Sequence, residues 1–254
     1  MRIGVFDSGY GGLTILEQFR ALLPEYDYVY LGDNARTPYG TRSFEVVYQY
    51  TLECVKKLFE MDCALVILAC NTASAKALRS IQQNDLPHID PSRRVLGVVR
   101  PTAEIVGEIT KTNHIGIFAT PGTIRSNTYE LEIAKLFPTV KVTGVACPMW
   151  VPLIEAGEHL HAGADYFVEK YLTELLTRDP LIDTIILGCT HYPLLQPKIE
   201  AFLEKYEHTK FLNQNSKFKI ISQGEIVALS FADYLRRHPE FSQDSKGGTC
   251  RYLT

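Results

Sequence analysis

"ALVILACNT" (64–72) and "DTIILGCTH" (183–191) are one pattern written twice: an apolar run, then a cysteine, then small polar residues. Continuous apolar runs of this length, without alternation, are what a strand covered on both faces requires. Working outward, further short runs appear, each bounded by turn residues: "IGVF" (3–6), "YVYLG" (28–32), "VLGVV" (95–99), "HIGIFA" (114–119), "KVTGVA" (141–146) and "FKII" (218–221). Between them lie helical-length segments such as "LTILEQFRALL" and "DYFVEKYLTELLTR", with apolar residues spaced by three and four. Strands alternating with helices predict an α/β fold built on mainly parallel sheets.

A second repeat supports the first. "IGVFDS" begins at Ile3 and "IGIFAT" 112 residues later at Ile115, while the two cysteines, Cys70 and Cys189, stand 119 apart. Two landmarks in the same order at nearly the same offset predict a duplicated unit and two similar α/β domains. Ligands of open α/β sheets bind at the carboxyl ends of strands. Asp7, Ser8, Cys70, Asn71, Thr72, Thr120, Cys189, Thr190 and His191 all fall at such ends, so two facing domains would set Cys70 and Cys189 on opposite walls of one cleft.

Composition narrows what such a cleft does. The chain has 254 residues, 46% hydrophobic and 22% charged, with a net charge of −3. That balance offers no general attraction to nucleic acid or anionic membrane, and no direct nucleic-acid binding is expected. "MRIGVFDSG" has no basic leader, and no run of 18 apolar residues occurs, so a cytoplasmic protein without a membrane partner is expected. The six cysteines include no C-x-x-C pair, which favours free thiols over a disulfide framework or structural zinc.

A thiol with an ordinary pKa of about 8.5 is tuned with little effort into an acid or a base near neutrality. Two thiols across a cleft, one ionised, can take a proton from one face of a carbon and return another to the opposite face, inverting a stereocentre without a cofactor or metal. Asp7 and His191 stand near the two cysteines in sequence, and Glu155 in "VPLIEAG" is a further carboxylate in an apolar stretch. Ser8, Asn71, Thr72, Thr120, Thr123 and Thr190 suit the carboxylates and ammonium of a small amino acid.

Other readings compete. Gly9, Gly11 and Gly12 suit an ordinary strand-to-helix turn. They also begin a dinucleotide fingerprint, which Thr14 breaks at its third glycine. A serine-hydrolase elbow around Ser8 requires a glycine where Phe6 stands. Cys189 and His191 supply two metal ligands where a catalytic zinc needs three. Taken singly, His191 reads as a hydrogen-bonded structural residue and Glu155 as a solvated helix residue. "GDNARTPYG" (32–40) reads as a loop of the kind that covers sites.

Five motifs taken together, "GVFDSGYGG" (4–12), "LGDNARTPYG" (31–40), "LACNTASA" (68–75), "PLIEAG" (152–157) and "LGCTHYPLL" (187–195), carry a resemblance over essentially the whole chain. It resembles the glutamate racemases of the cofactor-independent aspartate/glutamate racemase superfamily. The resemblance implies two flavodoxin-like three-layer domains related by pseudo-twofold symmetry, residues 1–98 with 212–254 and residues 99–211, and an active site between them. It implies acid/base thiols at Cys70 and Cys189, Asp7 paired with Cys70, and His191 with Cys189 aided by Glu155. Substrate contacts are implied for Asp7, Ser8, Tyr39, Gly40, Asn71, Thr72, Thr190 and His191, with Thr120 and Thr123 as additions. A glutamate substrate, no cofactor, a homodimer and D-glutamate supply to peptidoglycan follow from the same likeness.

The chain departs from that pattern in three places. Arg100 in "GVVRP" stands where an acid is frequent, which bears on local salt bridges. "SQG" (222–224) replaces a frequent Asp-Ser-Gly, which bears on the closing helix rather than on the thiols. The chain stops at "CRYLT", where relatives run on, so a truncated end is expected. From residues alone, an aspartate racemase, a silent amino-acid-binding protein and a thiol nucleophile stay open.

Overall fold

A computed structural model describes residues 1–209, 218–241 and 248–254, the side chains of 206–209 excepted. Nine strands run in the order β1 (Arg2–Asp7), β2 (Asp27–Gly32), β3 (Cys63–Leu68), β4 (Arg94–Gly97), β5 (His114–Ala119), β6 (Lys141–Ala146), β7 (Thr184–Gly188), β8 (Lys219–Ile221) and β9 (Cys250–Leu253). They form two sheets, ordered β4-β3-β1-β2-β9 and β6-β5-β7-β8, and every pairing is parallel. Counted from its own first strand, each sheet contains the order second-first-third-fourth, the doubly wound arrangement of flavodoxin-like folds. The repeated motifs mark this duplication: β1 corresponds to β5 and β3 to β7.

Each sheet is buried on both faces, which is why its strands read as unbroken apolar runs. Ile3, Val5, Tyr28, Tyr30, Leu65 and Ile67 face one core of the first sheet, and Phe6, Val29, Val66 and Leu68 face the other. In the second sheet Ile115, Ile117 and Ile186 face one side, and Phe118, Val145, Ile185 and Leu187 the other. Trp150 anchors that last core, with its ring centroid 4.9 Å from Phe118, 5.6 Å from Tyr171 and 4.8 Å from Tyr192.

Two details differ from the sequence reading. "VLGVV" does not remain extended: β4 stops at Gly97, and Val99 opens the helix Val99–Ile109, whose apolar side joins the second sheet's core while Val98 stays in the first. Residues 212–254 were expected with the first domain, yet β8 lies within them and pairs with β7 in the second sheet. The chain returns to the first sheet through the helix Gln223–Arg237 and through β9, which adds to β2. The expected boundary at 211/212 lies outside the described residues.

Parallel pairing carries all strand ends in a sheet to the same side. Asp7 pairs with Gly32 and Phe6 with Leu68 in the first sheet, and Ala119 pairs with both Ala146 and Gly188 in the second. Among the described residues no helix is long and apolar enough to cross a membrane.

Candidate active site

The loops leaving these strand ends enclose a cavity of about 500 Å³, its open mouth included. Ser8, Tyr39, Gly40, Cys70, Asn71, Thr72, Thr120, Cys189, Thr190 and His191 all line it. The two thiols thus come from topologically equivalent ends, β3 and β7, and share one space. Cys70 closes β3, where Ala69 N–H still donates to the Phe6 carbonyl at 2.8 Å, and its own carbonyl accepts the first bond of the next helix from Ser74 N–H at 2.9 Å. Cys189 leaves β7 in the same manner, ahead of a short 3₁₀ turn at Tyr192–Leu195.

The two sheets are joined by polar contacts across this cavity. Thr72 Oγ1 lies 2.8 Å from Thr120 Oγ1, and Thr123 completes the hydroxyl cluster at 3.1 Å from Thr120. Thr190 Oγ1 donates to Asp7 Oδ1 at 3.3 Å, and Gly122 N–H donates to the Gly40 carbonyl at 2.7 Å. Close approach also explains two glycines: a Cβ on Gly11 would overlap the His191 ring and Thr190, and one on Gly40 would lie 2.6 Å from Thr120 Cβ.

The thiol environments differ. Cys70 Sγ donates to Ser8 Oγ at 3.4 Å, and burial, reinforced by the nearby Asp7, pushes its thiol up to about 12. Asp7 makes no hydrogen bond to Cys70; its carboxyl accepts from Gly9 N–H at 3.1 Å and from Thr190. Burial raises the Asp7 carboxyl, and the charge of His191 opposes that rise. On the other wall His191 Nδ1 stands 3.8 Å from Cys189 Sγ, and Nε2 stands 2.5 Å from Glu155 Oε1. Burial works against a charged ring, but Cys189, Glu155 and Asp7 outweigh it and raise His191 to about 10. Glu155 is lowered, chiefly by its bond to His191. The ring is therefore an imidazolium at neutral pH, with both N–H groups committed. Among the described residues no three His, Cys, Asp or Glu side chains group as metal ligands.

Asp7, Glu155 and Thr123 stand behind the wall, each touching a residue that lines it. Tyr39 lines the cavity, but its ring packs near Phe6 and Tyr50 and its hydroxyl donates to Asp33 Oδ2 at 2.5 Å. Arg100 makes a local ion pair with Glu104 at 2.8 Å. Sequence reasoning missed Pro38, Thr41, Pro121, Cys147, Pro148, Val151 and Pro152 in the lining. Cys147 and Pro148 follow the carboxyl end of β6, so the strand-end rule that picked out the other residues was the signal that pointed there.

A family model for Asp/Glu/Hydantoin racemase matches residues 13–207. The chain belongs to this family. Among its relatives, the glutamate racemase of Roseobacter denitrificans is 40% identical over 249 residues, covering 94% of this chain and 87% of the relative. The glutamate racemase of Geobacter metallireducens is 38% identical, covering 99% and 86%. Among solved racemases, a glutamate racemase from Francisella tularensis in complex with D-glutamate superposes with a TM-score of 0.84 at 31% identity, covering 99% of this chain and 86% of that one. An isoform from Bacillus anthracis gives the same TM-score at 34% identity, covering 98% and 86%.

Proposed function

We propose that this member of the racemase family interconverts L- and D-glutamate by proton transfer between two thiols and Cα. The observation that carries the proposal is that Cys70 and Cys189 line one cavity from equivalent ends of two sheets. One sulfur, as thiolate, takes the Cα proton as the C–H bond breaks. The other, as thiol, delivers its proton to the opposite face of the resulting carbanion and is left as thiolate. The sulfurs exchange protonation states in each turnover, and the reverse reaction restores them.

The surroundings suit these roles. Burial keeps the proton on Cys70, while the imidazolium of His191 supplies positive charge next to Cys189. Ser8, Thr72, Thr120 and Thr190 offer hydroxyls to the substrate's charged groups, and the Asn71 amide nitrogen is a buried donor with no partner among the described residues. The same reading has a homodimer working in the cytoplasm and supplying D-glutamate to peptidoglycan. Glutamate, rather than aspartate, is supported by the names of the relatives at 38–40% identity. The likeness to an aspartate racemase from Picrophilus torridus, at 14% identity and a TM-score of 0.61, extends to the fold alone.

The test is incubation of L-glutamate with the protein in D₂O. Loss of optical rotation together with deuterium at Cα is the expected result. Calorimetric binding of glutamate with no deuterium uptake would refute it, and a larger kcat/KM on D-aspartate than on D-glutamate would reassign the substrate.

A further inference from the structure

Asn71, the residue after Cys70, is held by a buried chain of polar groups that extends away from the cavity. Tyr129, from the helix Thr128–Leu136 of the second sheet's layer, places its hydroxyl 2.6 Å from Asn71 Oδ1. Gln223, the first residue of the helix Gln223–Arg237, places Nε2 2.7 Å from that hydroxyl, 2.8 Å from Thr102 Oγ1 and 3.3 Å from the Val98 carbonyl. All of these side chains are buried.

The direction of every bond in this chain follows from its far end. A backbone carbonyl only accepts, so the Gln223 atom facing Val98 is the amide nitrogen; its two hydrogens go to the two short contacts, the Tyr129 hydroxyl and Thr102 Oγ1, with the Val98 carbonyl a longer contact at 3.3 Å. Tyr129 therefore accepts from Gln223, and its single proton has one remaining destination, Asn71 Oδ1. With its oxygen engaged there, Asn71 keeps its NH₂ turned away from Tyr129, free of any partner among the described residues, on a residue that lines the cavity.

We infer that Tyr129 and Gln223 are positioning residues that fix the Asn71 side-chain amide in the rotamer presenting N–H, not C=O, to a carboxylate of the substrate. The inference rests on the cavity being the glutamate site. The Tyr129 hydroxyl is what distinguishes the two ends of this amide among the described residues; turned by 180°, the amide would face the carboxylate with its carbonyl oxygen, which is repulsive. The departure at "SQG" thus reaches the site after all: Gln223 acts one residue removed from Asn71, not only on the closing helix.

The experiment measures steady-state racemisation by wild type, Tyr129→Phe, Gln223→Met, Asn71→Ala and the double variant Tyr129→Phe/Asn71→Ala, each checked for folding by circular dichroism. Tyr129→Phe keeps the ring and removes the bond; KM for both enantiomers should rise about tenfold with a much smaller change in kcat. Gln223→Met leaves Tyr129 able to donate to Asn71, so the rise should be smaller, about threefold. In the Asn71→Ala background, Tyr129→Phe should add nothing to KM, because the group it positions is gone. Unchanged KM in folded Tyr129→Phe, or effects of Tyr129→Phe and Asn71→Ala that simply multiply, would overturn the inference while leaving the racemase reading intact. Absence of Cα deuterium exchange by the wild-type protein would instead remove that reading, and this inference with it.

Discussion

Glu155→Gln keeps the shape of the side chain but removes the charge 2.5 Å from His191 Nε2. His191 rises from 6.5 to about 10 against the cost of burial, with Cys189, Glu155 and Asp7 supplying the gain. A rise of that size corresponds to roughly 5 kcal/mol in favour of the imidazolium. Glu155 is one of three contributors and its side chain is 22% exposed, so its share of folding stability is about 1–2 kcal/mol. Because the folded pKa of His191 is raised, its contribution is complete below 6.5 and is lost as pH climbs toward about 10. Because Glu155 is lowered, its contribution is present above 4.5 and is lost as pH falls through its folded value. The pair is therefore worth most between 4.5 and 6.5. Urea denaturation should find the variant less stable by about 1–2 kcal/mol near pH 6, with the gap narrowing as pH approaches about 10. A gap of the same size at both pH values, or none near pH 6, would refute the charged-pair account.

Replacing either Cys70 or Cys189 by alanine should lower turnover of both enantiomers by about 10³-fold, since each sulfur is the acid in one direction and the base in the other; polarimetry decides, and near-full activity in either variant contradicts the mechanism. Gly11→Ala forces a methyl into the His191 ring and Thr190, so the loop must retreat; a destabilisation of about 1–3 kcal/mol with a fall in kcat/KM is expected from urea midpoints and initial rates. Trp150→Ala empties the centre of the second sheet's aromatic cluster and should cost about 3–5 kcal/mol by the same denaturation assay, whereas a loss below about 1 kcal/mol would mean that the rings repack around it.

The inner strands and the fold class were legible from the chain because strands buried on both faces must be apolar throughout, and a run such as Thr184–Gly188 has no polar face to hide the signal; the edge strands β4, β6 and β8 were legible because each keeps a short apolar run despite partial exposure. β9 escaped notice for the converse reason: it is an edge strand in which Arg251 and Tyr252 are exposed, so its pairing with β2 is backbone bonding without an apolar signature. The cysteines and the polar residues around them were legible because one unit occurs twice, and strand ends of parallel sheets collect on one side.

What the order of residues could not specify was which side chains meet in space. That His191 spends both ring nitrogens on Cys189 and Glu155, that Ser8 rather than Asp7 bonds to Cys70, and that Gln223 reaches Asn71 through Tyr129 rest on contacts between residues up to 94 positions apart. The placement of β8 in the second sheet belongs with them. Local sequence governs periodicity and turn chemistry, because these act over a few residues. Hydrogen-bond direction, burial and the resulting charge states depend on how the sheets are docked, and only the tertiary structure decides that.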